Sequence, residues 1–218
     1  QEPDGLLAAG GDLSSDRLLC AYRRGIFPWY ERGQPLLWWS PDPRCVFRPG
    51  NFHLSRRLRR SSRKSITEVR FNTDFGNVIR ACAAPRGAAR GTWITTDMIA
   101  AYERLHKEGW AHSVEIWQNG SLIGGLYGLA IGRAFFGESM FSGASDASKY
   151  ALLAISRMLD DNTRGIVDCQ LISSHLLSLG ATTIPRTEFA AVLDGLCDPA
   201  IRFENWPNAP ISVSELAR

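Results

Sequence analysis

The chain lacks the long apolar runs that would place it in a membrane. It has 218 residues, and none of its apolar runs reaches the roughly 18 to 20 residues that a membrane-spanning helix requires. Nothing at its start resembles a signal peptide, so we expect a cytoplasmic protein. Because the chain begins with Gln1 rather than Met, we also expect a few residues to precede it.

Cysteine is scarce and poorly spaced for metal or redox chemistry. The five cysteines contain no CxxC pair, which argues against a zinc knuckle or a dithiol redox couple. The sequence also lacks a glycine-rich phosphate loop, an HExxH motif and a recognisable Ser/His/Asp spacing. We therefore expect reduced, mostly buried thiols and a chemistry that does not rest on these common motifs.

The composition is that of a globular protein with a substantial core. Hydrophobic residues make up 44% of the chain and charged residues 22%, so disorder and coiled-coil architectures are excluded. This length favours one large domain, or one domain with a small appendage. Glycine turns and prolines in the first forty-odd residues indicate a small N-terminal domain over residues 1–44, followed by a larger domain over residues 45–218.

The periodicity predicts a mixed α/β fold with layers of helices and strands. Three antiparallel strands follow residue 112, with Asn119-Gly120 as a hairpin signal between the first two. The segment 38–44 is too rich in proline for regular structure. Helices are predicted over residues 12–24, 55–64, 72–82, 96–108, 144–159 and 173–179, and strands over residues 113–117, 122–131, 134–141 and 165–172.

Positive charge is concentrated in one part of the chain. Between Arg44 and Arg90 there are twelve Arg and Lys residues against two acidic ones, although the whole chain carries a net charge of only +3. The helix over residues 55–64 holds Arg56, Arg57, Arg60, Arg63 and Lys64 with no acidic partner. This pattern predicts contact with the phosphates of a polyanion, and a solvated charged face is the alternative.

A few polar residues lie inside strongly apolar strands. Glu138 is flanked by aromatic residues, and Asp168 and Gln170 interrupt the apolar segment 166–171. A buried carboxylate is costly unless it is paired or used, so each residue is a site candidate. Strand alternation places Asp168 and Gln170 on one face and Cys169 on the other, where we expect a buried thiol. The alternative is a structural carboxylate that caps a loop or pairs with an arginine.

Two tryptophans occupy turn-like segments. Trp29 follows Phe27-Pro28, and Trp93 lies in Gly91-Thr92-Trp93-Ile94-Thr95. An aromatic face beside a basic surface can stack on an unpaired base, while core packing explains the same rings equally simply.

Seven segments, in unbroken order from Glu2 to about Arg186, together resemble the bacterial leucyl/phenylalanyl-tRNA-protein transferase family. The segments are residues 5–13, 22–29, 38–44, 91–95, 137–142, 168–170 and 175–186. The resemblance implies a small N-terminal domain joined to a larger domain similar to the GCN5-related N-acetyltransferases. It further implies transfer of Leu or Phe, and Met less readily, from aminoacyl-tRNA to the N-terminal Arg or Lys of a protein. The modified protein is then marked for N-end-rule degradation.

The resemblance also implies a role for each matching residue. Asp168 and Gln170 match the catalytic positions, where an ionised Asp168, hydrogen-bonded through Gln170, would orient the acceptor amine and accept or relay its proton. Glu138 matches the glutamate that faces the basic N-terminal residue of the acceptor. Trp29 and Trp93 match the positions that hold the 3′-terminal adenosine of the tRNA. The pocket for the transferred side chain matches Leu126, Met140, Ile155, Leu159 and Val167.

The resemblance leads us to expect neither a metal nor an organic cofactor. The cluster from Arg56 to Lys64 would hold the acceptor stem of the tRNA through its phosphates. Since no heptad or apolar helix face is left over, we expect a monomer.

Two other functions compete with this interpretation. An acetyl-CoA-dependent enzyme of the same fold needs a pyrophosphate-binding loop, and residues 142–147 do not have that pattern. An RNA-binding module without catalysis would use the basic helix and the tryptophans, and it would give Glu138, Asp168 and Gln170 no purpose.

Overall fold

The computed structural model describes residues 3–48, 50–64, 66–85, 92–162, 165–198, 200–201, 203 and 206–218. It confirms the mixed α/β class, with a small sheet near the N-terminus and a larger sheet flanked by helices. The similarity to GCN5-related N-acetyltransferases and the domain boundary at residue 44 stay predictions.

The N-terminal part of the chain forms a three-stranded antiparallel sheet in the order β1-β3-β2. Its elements are β1 (Leu6–Ala9), α1 (Ser15–Tyr22), β2 (Phe27–Pro28) and β3 (Leu37–Trp39). The prediction that segment 38–44 has no regular structure is wrong at its beginning and its end. Trp38 and Trp39 pair with both neighbouring strands, and the next strand begins at Arg44.

The larger sheet has eight strands in the order β10-β4-β9-β8-β7-β6-β5-β11. The strands are β4 (Arg44–Phe47), β5 (Thr67–Phe71), β6 (Ala111–Gln118), β7 (Ser121–Ile131), β8 (Ala134–Ser142), β9 (Ile166–Gln170), β10 (Thr182–Ile184) and β11 (Ile211–Ser212). Strands β8 and β9 are parallel, and the other neighbouring pairs are antiparallel. The hairpin predicted at Asn119-Gly120 is confirmed, because both residues adopt the positive φ that such a turn needs.

Helices cover both faces of the larger sheet. They are α2 (Arg56–Lys64), α3 (Phe75–Ala83), α4 (Thr96–Lys107), α5 (Ala147–Asn162), α6 (Ser174–Ser178), α7 (Arg186–Leu196) and α8 (Val213–Leu216). Helix α5 connects the parallel strands β8 and β9, as such a crossover requires. Helix boundaries differ from the predicted ones by a few residues, for example at α5, predicted over residues 144–159.

Two apolar clusters form the core. The first contains side chains from α1, α3, α4 and α7, and the second contains side chains from α2, α5 and α8. Neighbouring residues of one strand alternate between them: Phe136 and Ile166 pack in the first cluster, Phe135 and Val167 in the second. The sheet therefore lies between two helical layers, and a polar group on it can face either one.

Candidate active site

Glu138 lies in a β-bulge of strand β8. Tyr127 pairs with Ser139 and Gly128 with Gly137, so the pairing between β7 and β8 skips Glu138. The skipped residue reverses the alternation, since Phe136 belongs to the first cluster and Met140 packs against the second. At Gly128 a Cβ atom would come within 2.1 Å of the Phe136 carbonyl oxygen, so only glycine fits there. The bulge thus places Glu138 at the boundary between the two clusters.

Three side chains hold the Glu138 carboxylate. The Tyr22 hydroxyl donates to Oε1 at 2.6 Å, the Tyr102 hydroxyl to Oε2 at 2.8 Å, and the Gln170 Nε2 group to Oε1 at 2.7 Å. The hydroxyl oxygens of Tyr22 and Tyr102 also contact each other. Because each hydroxyl has one proton, all three contacts are hydrogen bonds at once only when Glu138 is protonated and donates one of them. These contacts connect the carboxylate to helices α1 and α4 and to strand β9, and Glu138 as a whole is 7% exposed.

Burial changes the acid–base behaviour of this group. Desolvation raises the pKa of Glu138 from 4.5 to about 7, and the hydrogen bonds from the two tyrosines partly oppose that rise. Burial and the neighbouring Glu138 charge in turn raise the pKa of Tyr22 and of Tyr102 well above 10. Both tyrosines therefore remain hydrogen-bond donors, and Glu138 changes its protonation near neutral pH.

Asp168 forms a buried ion pair with Arg44. Arg44 donates from Nε to Oδ1 at 2.7 Å and from Nη2 to Oδ2 at 2.6 Å, and neither residue is exposed to solvent. Such a bidentate pair is the strong form of a charge-assisted hydrogen bond. The structure thus shows the arginine pairing that was the structural alternative for Asp168. The catalytic role of Asp168 stays a prediction.

Gln170 ends strand β9 with an unusual backbone conformation. Its φ is +61°, and its backbone N–H donates to Oδ1 of Asp168 at 2.9 Å. The strand predicted over residues 165–172 therefore stops at Gln170, because this left-handed residue breaks the extended ladder. Asp168 holds the turn through its carboxylate, and the turn directs the Gln170 side chain to Glu138.

A cavity of about 250 Å³ opens beside Glu138. Among the described residues, it contains one carboxylate against a mostly apolar wall drawn from the second cluster and its neighbours. The described lining consists of Trp93, Leu126, Phe135, Gly137, Glu138, Ser139, Met140, Leu152, Ile155, Val167, Cys169 and Leu176. A pocket of this kind, apolar with a few placed polar groups, is typical of small-ligand sites.

The cavity brings together most, but not all, of the residues predicted to bind substrate. Trp93, Leu126, Met140, Ile155 and Val167 line it. Leu159 lies in the core one helical turn beyond Ile155, where it is 2% exposed. Trp29 is 38% exposed and packs edge-to-face on Trp39, with 5.5 Å between ring centroids. The exposed ring is open to stacking, as contact with a base requires.

The predicted basic helix is α2, whose arginines face solvent. Arg56, Arg57, Arg60 and Arg63 are exposed, while Leu58 is buried beneath them. In the described part of the chain, their guanidinium groups form no ion pair with a carboxylate. The side chain of Lys64 lies outside the described part. The prediction of phosphate contact stays a prediction.

Within the described ranges, no cluster of three or more His, Cys, Asp and Glu side chains is suited to holding a metal ion. The helices of that same part of the chain are too short or too polar to cross a membrane.

Sequence reasoning missed three residues of this site. Tyr22 and Tyr102 lie in predicted helices, and Arg44 ends a proline-rich segment, so nothing in their local sequence marked them as site residues. Their partners lie 116, 36 and 124 residues away, so no local pattern could reveal them. Cys169, predicted as a buried thiol facing away from the site, lines the cavity and is partly exposed.

Comparison with known proteins assigns the chain to a family. A family model described as leucyl/phenylalanyl-tRNA protein transferase matches residues 46–194, and the model of its N-terminal domain matches residues 11–42. A leucyl/phenylalanyl-tRNA--protein transferase from Azoarcus sp. (strain BH72) is 58% identical over 193 residues, covering 88% of this chain and 82% of that protein. Another from Pseudomonas aeruginosa is 59% identical over 193 residues, covering 88% and 85%.

Among solved structures, a functionally unknown conserved protein from Staphylococcus epidermidis ATCC 12228 superposes with a TM-score of 0.43 at 10% identity. The superposition covers 83% of this chain and 68% of that protein. A superposition with so low a TM-score assigns neither fold nor function. The family models and the two transferases carry the assignment, since they span both parts of the chain. The chain belongs to the leucyl/phenylalanyl-tRNA protein transferase family.

Proposed function

We propose that this protein transfers Leu or Phe, and Met less readily, from aminoacyl-tRNA to the N-terminal Arg or Lys of acceptor proteins. The modified acceptors would enter N-end-rule degradation. The observation that carries the proposal is the cavity beside Glu138, whose described lining joins an apolar wall to the carboxylate of Glu138. One side of such a cavity suits an apolar amino-acid side chain, and the other suits a cation.

The apolar wall would receive the side chain of the transferred amino acid. Leu126, Met140, Ile155 and Val167 supply aliphatic contacts, and Leu159 supports Ile155 from the core. Trp93 on the lining and the exposed Trp29 would stack on the 3′-terminal adenosine. An aliphatic wall accepts several apolar side chains with small differences in binding free energy. Such a pocket would prefer some amino acids among Leu, Phe and Met without excluding the others.

Glu138 would select the acceptor through the charge of its first residue. An Arg or Lys side chain reaching the cavity replaces the missing countercharge of a buried carboxylate, whereas a neutral side chain leaves that charge unpaired. Because burial raises the pKa of Glu138 to about 7, a bound cation would also favour its ionised form.

The reaction needs an amine in the right place rather than an external energy source. The α-amine of the acceptor attacks the ester carbonyl carbon and the new C–N bond forms. The C–O bond to the tRNA ribose breaks, and the proton lost by the attacking nitrogen ends on the leaving ribose oxygen. The amine, with a reference pKa of about 7.7 to 8.0, must lose a proton to react. Gln170 would orient it through its amide, and Asp168 would support Gln170 through its backbone N–H. Alignment alone can supply much of the acceleration.

The exposed arginines of α2 would hold the tRNA by its phosphates. Arg56, Arg60 and Arg63 line a shallow surface pocket together with Arg59. Contacts of this kind position a nucleic acid without reading its sequence, and they weaken as salt is added. A cytoplasmic monomer that uses neither metal nor organic cofactor, divided into domains near residue 44, completes the proposal.

A transfer assay without ATP or CoA tests the proposal. Purified protein is mixed with [¹⁴C]leucyl-tRNA and a peptide that begins with Arg, and with the same peptide beginning with Ala as the matched control. We expect label only on the Arg-starting peptide, on its α-amine. An enzyme that needs acetyl-CoA, or a module that binds the tRNA and releases it unchanged, would leave the Arg-starting peptide unlabelled and contradict the proposal.

A further inference from the structure

Arg44 is the largest fully buried side chain among the described residues, and none of the roles above uses it. Beyond its two bonds to Asp168, its Nη1 group donates to the Gly25 carbonyl oxygen at 3.0 Å. The rings of Phe27 and Phe189 cover the guanidinium, at 4.9 and 4.8 Å from their centroids. Arg44 therefore contacts the small sheet, strand β9 and helix α7 at once, and it has one orientation available.

This arrangement restricts what Asp168 can do. Each carboxylate oxygen accepts a guanidinium N–H, and Oδ1 accepts the Gln170 backbone N–H as well. The carboxylate is also 0% exposed, and it is absent from the described lining of the cavity. An acceptor amine in the cavity therefore meets Glu138, which lines it, rather than Asp168.

A continuous chain of hydrogen bonds runs from Arg44 to the cavity. Arg44 fixes Asp168, Asp168 fixes the left-handed backbone of Gln170, and Gln170 donates to Glu138 at 2.7 Å. A left-handed backbone in a non-glycine residue costs free energy and needs such support. Without Arg44, Asp168 would be an unpaired buried negative charge beside Gln170 and Glu138.

We propose that Arg44 is a positioning residue of the transfer site, which neutralises Asp168 and holds Gln170 against Glu138, so that Glu138 is the one carboxylate that meets the acceptor. The proposal rests on the transferase function set out above. It assigns Asp168 to the support of the site rather than to proton transfer.

A change at Arg44 can be detected through the pKa of Glu138, which depends on the polar groups around that carboxylate. Among the described residues, Tyr22 on α1, Tyr102 on α4, and Asp168 and Gln170 on β9 affect the pKa of Glu138, and the charge of Glu138 raises the pKa of Tyr127 on β7. Among them, Asp168 is the acid whose negative charge raises the pKa of Glu138, and Arg44 is the cation that balances that charge. Removing the cation therefore makes Glu138 harder to ionise.

Arg44→Met and Arg44→Lys are compared with Arg186→Met as the matched control. Arg186 also joins helix α7 to the N-terminal part, because it donates to the Ser40 carbonyl oxygen at 2.8 Å, and its bonds among the described residues do not include Asp168. Arg44→Lys keeps the charge and loses the bidentate geometry, so it remains testable if Arg44→Met does not fold. Folding of each variant is checked by circular dichroism and thermal melting.

The first readout is the titration of Glu138 without substrates, followed by ¹³C NMR of labelled glutamate side chains and assigned with Glu138→Gln. We expect the midpoint to rise by about 0.5 pH units or more in Arg44→Met and to stay unchanged in Arg186→Met. In Arg44→Met/Asp168→Asn, which removes both charges, it should return to the wild-type value or fall below it. An unchanged midpoint in folded Arg44→Met would overturn the proposal.

The second readout is catalysis by the folded protein. In both Arg44 variants, kcat/KM for an Arg-starting peptide should fall about 10-fold or more, while the Kd for leucyl-tRNA changes less than about 2-fold. A purely structural arginine would instead give Arg44→Lys the acceptor kinetics of Arg186→Met. If the wild-type protein transfers no amino acid, the transferase function fails, and the NMR titration still decides whether Arg44 controls Glu138.

Discussion

Two glutamates of the larger sheet, Glu115 on β6 and Glu138 on β8, are both buried and serve different ends. Glu115 is 0% exposed and accepts hydrogen bonds from its own surroundings. The donors are the backbone N–H groups of Thr73 and Asp74 at 2.8 Å each, the hydroxyls of Thr73 and Ser113, and the Trp117 indole N–H. These bonds fasten the turn before α3 to strand β6, a structural task.

Glu138 differs in what surrounds it. Its donors are side chains from distant helices and from the end of β9, and part of its surface faces a cavity. A carboxylate inside an apolar strand is therefore not by itself evidence of a functional site. What distinguishes the two residues is an opening through which a ligand can reach the carboxylate.

The largest expected difference between the two glutamates concerns activity. Replacing Glu138 with Gln should lower kcat/KM for an Arg-starting acceptor about 100-fold, because the cation loses its buried countercharge. The same change at Glu115 should leave the value within about 2-fold per folded molecule. Steady-state transfer rates corrected for the folded fraction measure both, and equal losses would erase the distinction.

The pH dependence of stability should separate the wild-type protein from Glu138→Gln. The folded protein keeps a proton on Glu138 up to about pH 7, whereas the unfolded chain releases it near 4.5. Protonation therefore stabilises the fold below pH 4.5, and this contribution is lost as the pH rises through 7. Between pH 5 and 8 the free energy of unfolding should fall by about 2 to 3 kcal/mol more in the wild type than in Glu138→Gln. Urea denaturation at several pH values measures the two slopes, and parallel slopes would contradict the raised pKa.

Stability at constant pH should reveal the structural role of Glu115. Glu115→Gln turns an acceptor oxygen into a donor among other donors, so it should lower the free energy of unfolding by about 2 kcal/mol at pH 8. At that pH, Glu138→Gln should be neutral or stabilising, since it removes a buried charge. Urea midpoints measure this, and a stable Glu115→Gln protein would mean that its five donors find other partners.

The smallest expected effect concerns the apolar wall of the cavity. Ile155 lines the cavity, so Ile155→Ala enlarges it. The ratio of Phe transfer to Leu transfer should therefore rise about 10-fold. Leu159→Ala, in the core behind it, should shift the ratio less. Competition between phenylalanyl-tRNA and leucyl-tRNA measures the ratio, and an equal or larger shift in Leu159→Ala would move the side-chain pocket deeper into α5.

The sequence predicted much of the fold where the pattern is local. The hairpin at Asn119-Gly120, the strands β6 to β8 and the helix α5 follow from alternation, turn residues and amphipathic spacing. The short strand at Trp38 and Trp39 was missed, because its pairing partners lie in other parts of the chain and compensate for the nearby prolines. Tertiary pairing outweighed local propensity there.

The candidate site was predictable in composition but not in geometry. Glu138, Asp168 and Gln170 stood out as polar residues in apolar strands. Glu115 is also a carboxylate in an apolar strand, but it was not predicted as a site residue. The bulge that turns Glu138 towards the cavity depends on the register between β7 and β8, which the sequence alone does not reveal. The bond between Arg44 and Asp168 joins residues 124 apart, and only the folded chain brings them together.

The most direct test of the account exchanges the charge of the acceptor rather than that of the enzyme. Peptides that begin with Arg or with citrulline, its neutral isostere, compete for transfer of leucine by the wild-type protein and by Glu138→Gln. If Glu138 selects the acceptor by charge, we expect a preference for Arg of about 100-fold in the wild type, reduced to about 3-fold or less in Glu138→Gln. If Glu138→Gln keeps the wild-type ratio, the carboxylate in the cavity does not select the acceptor.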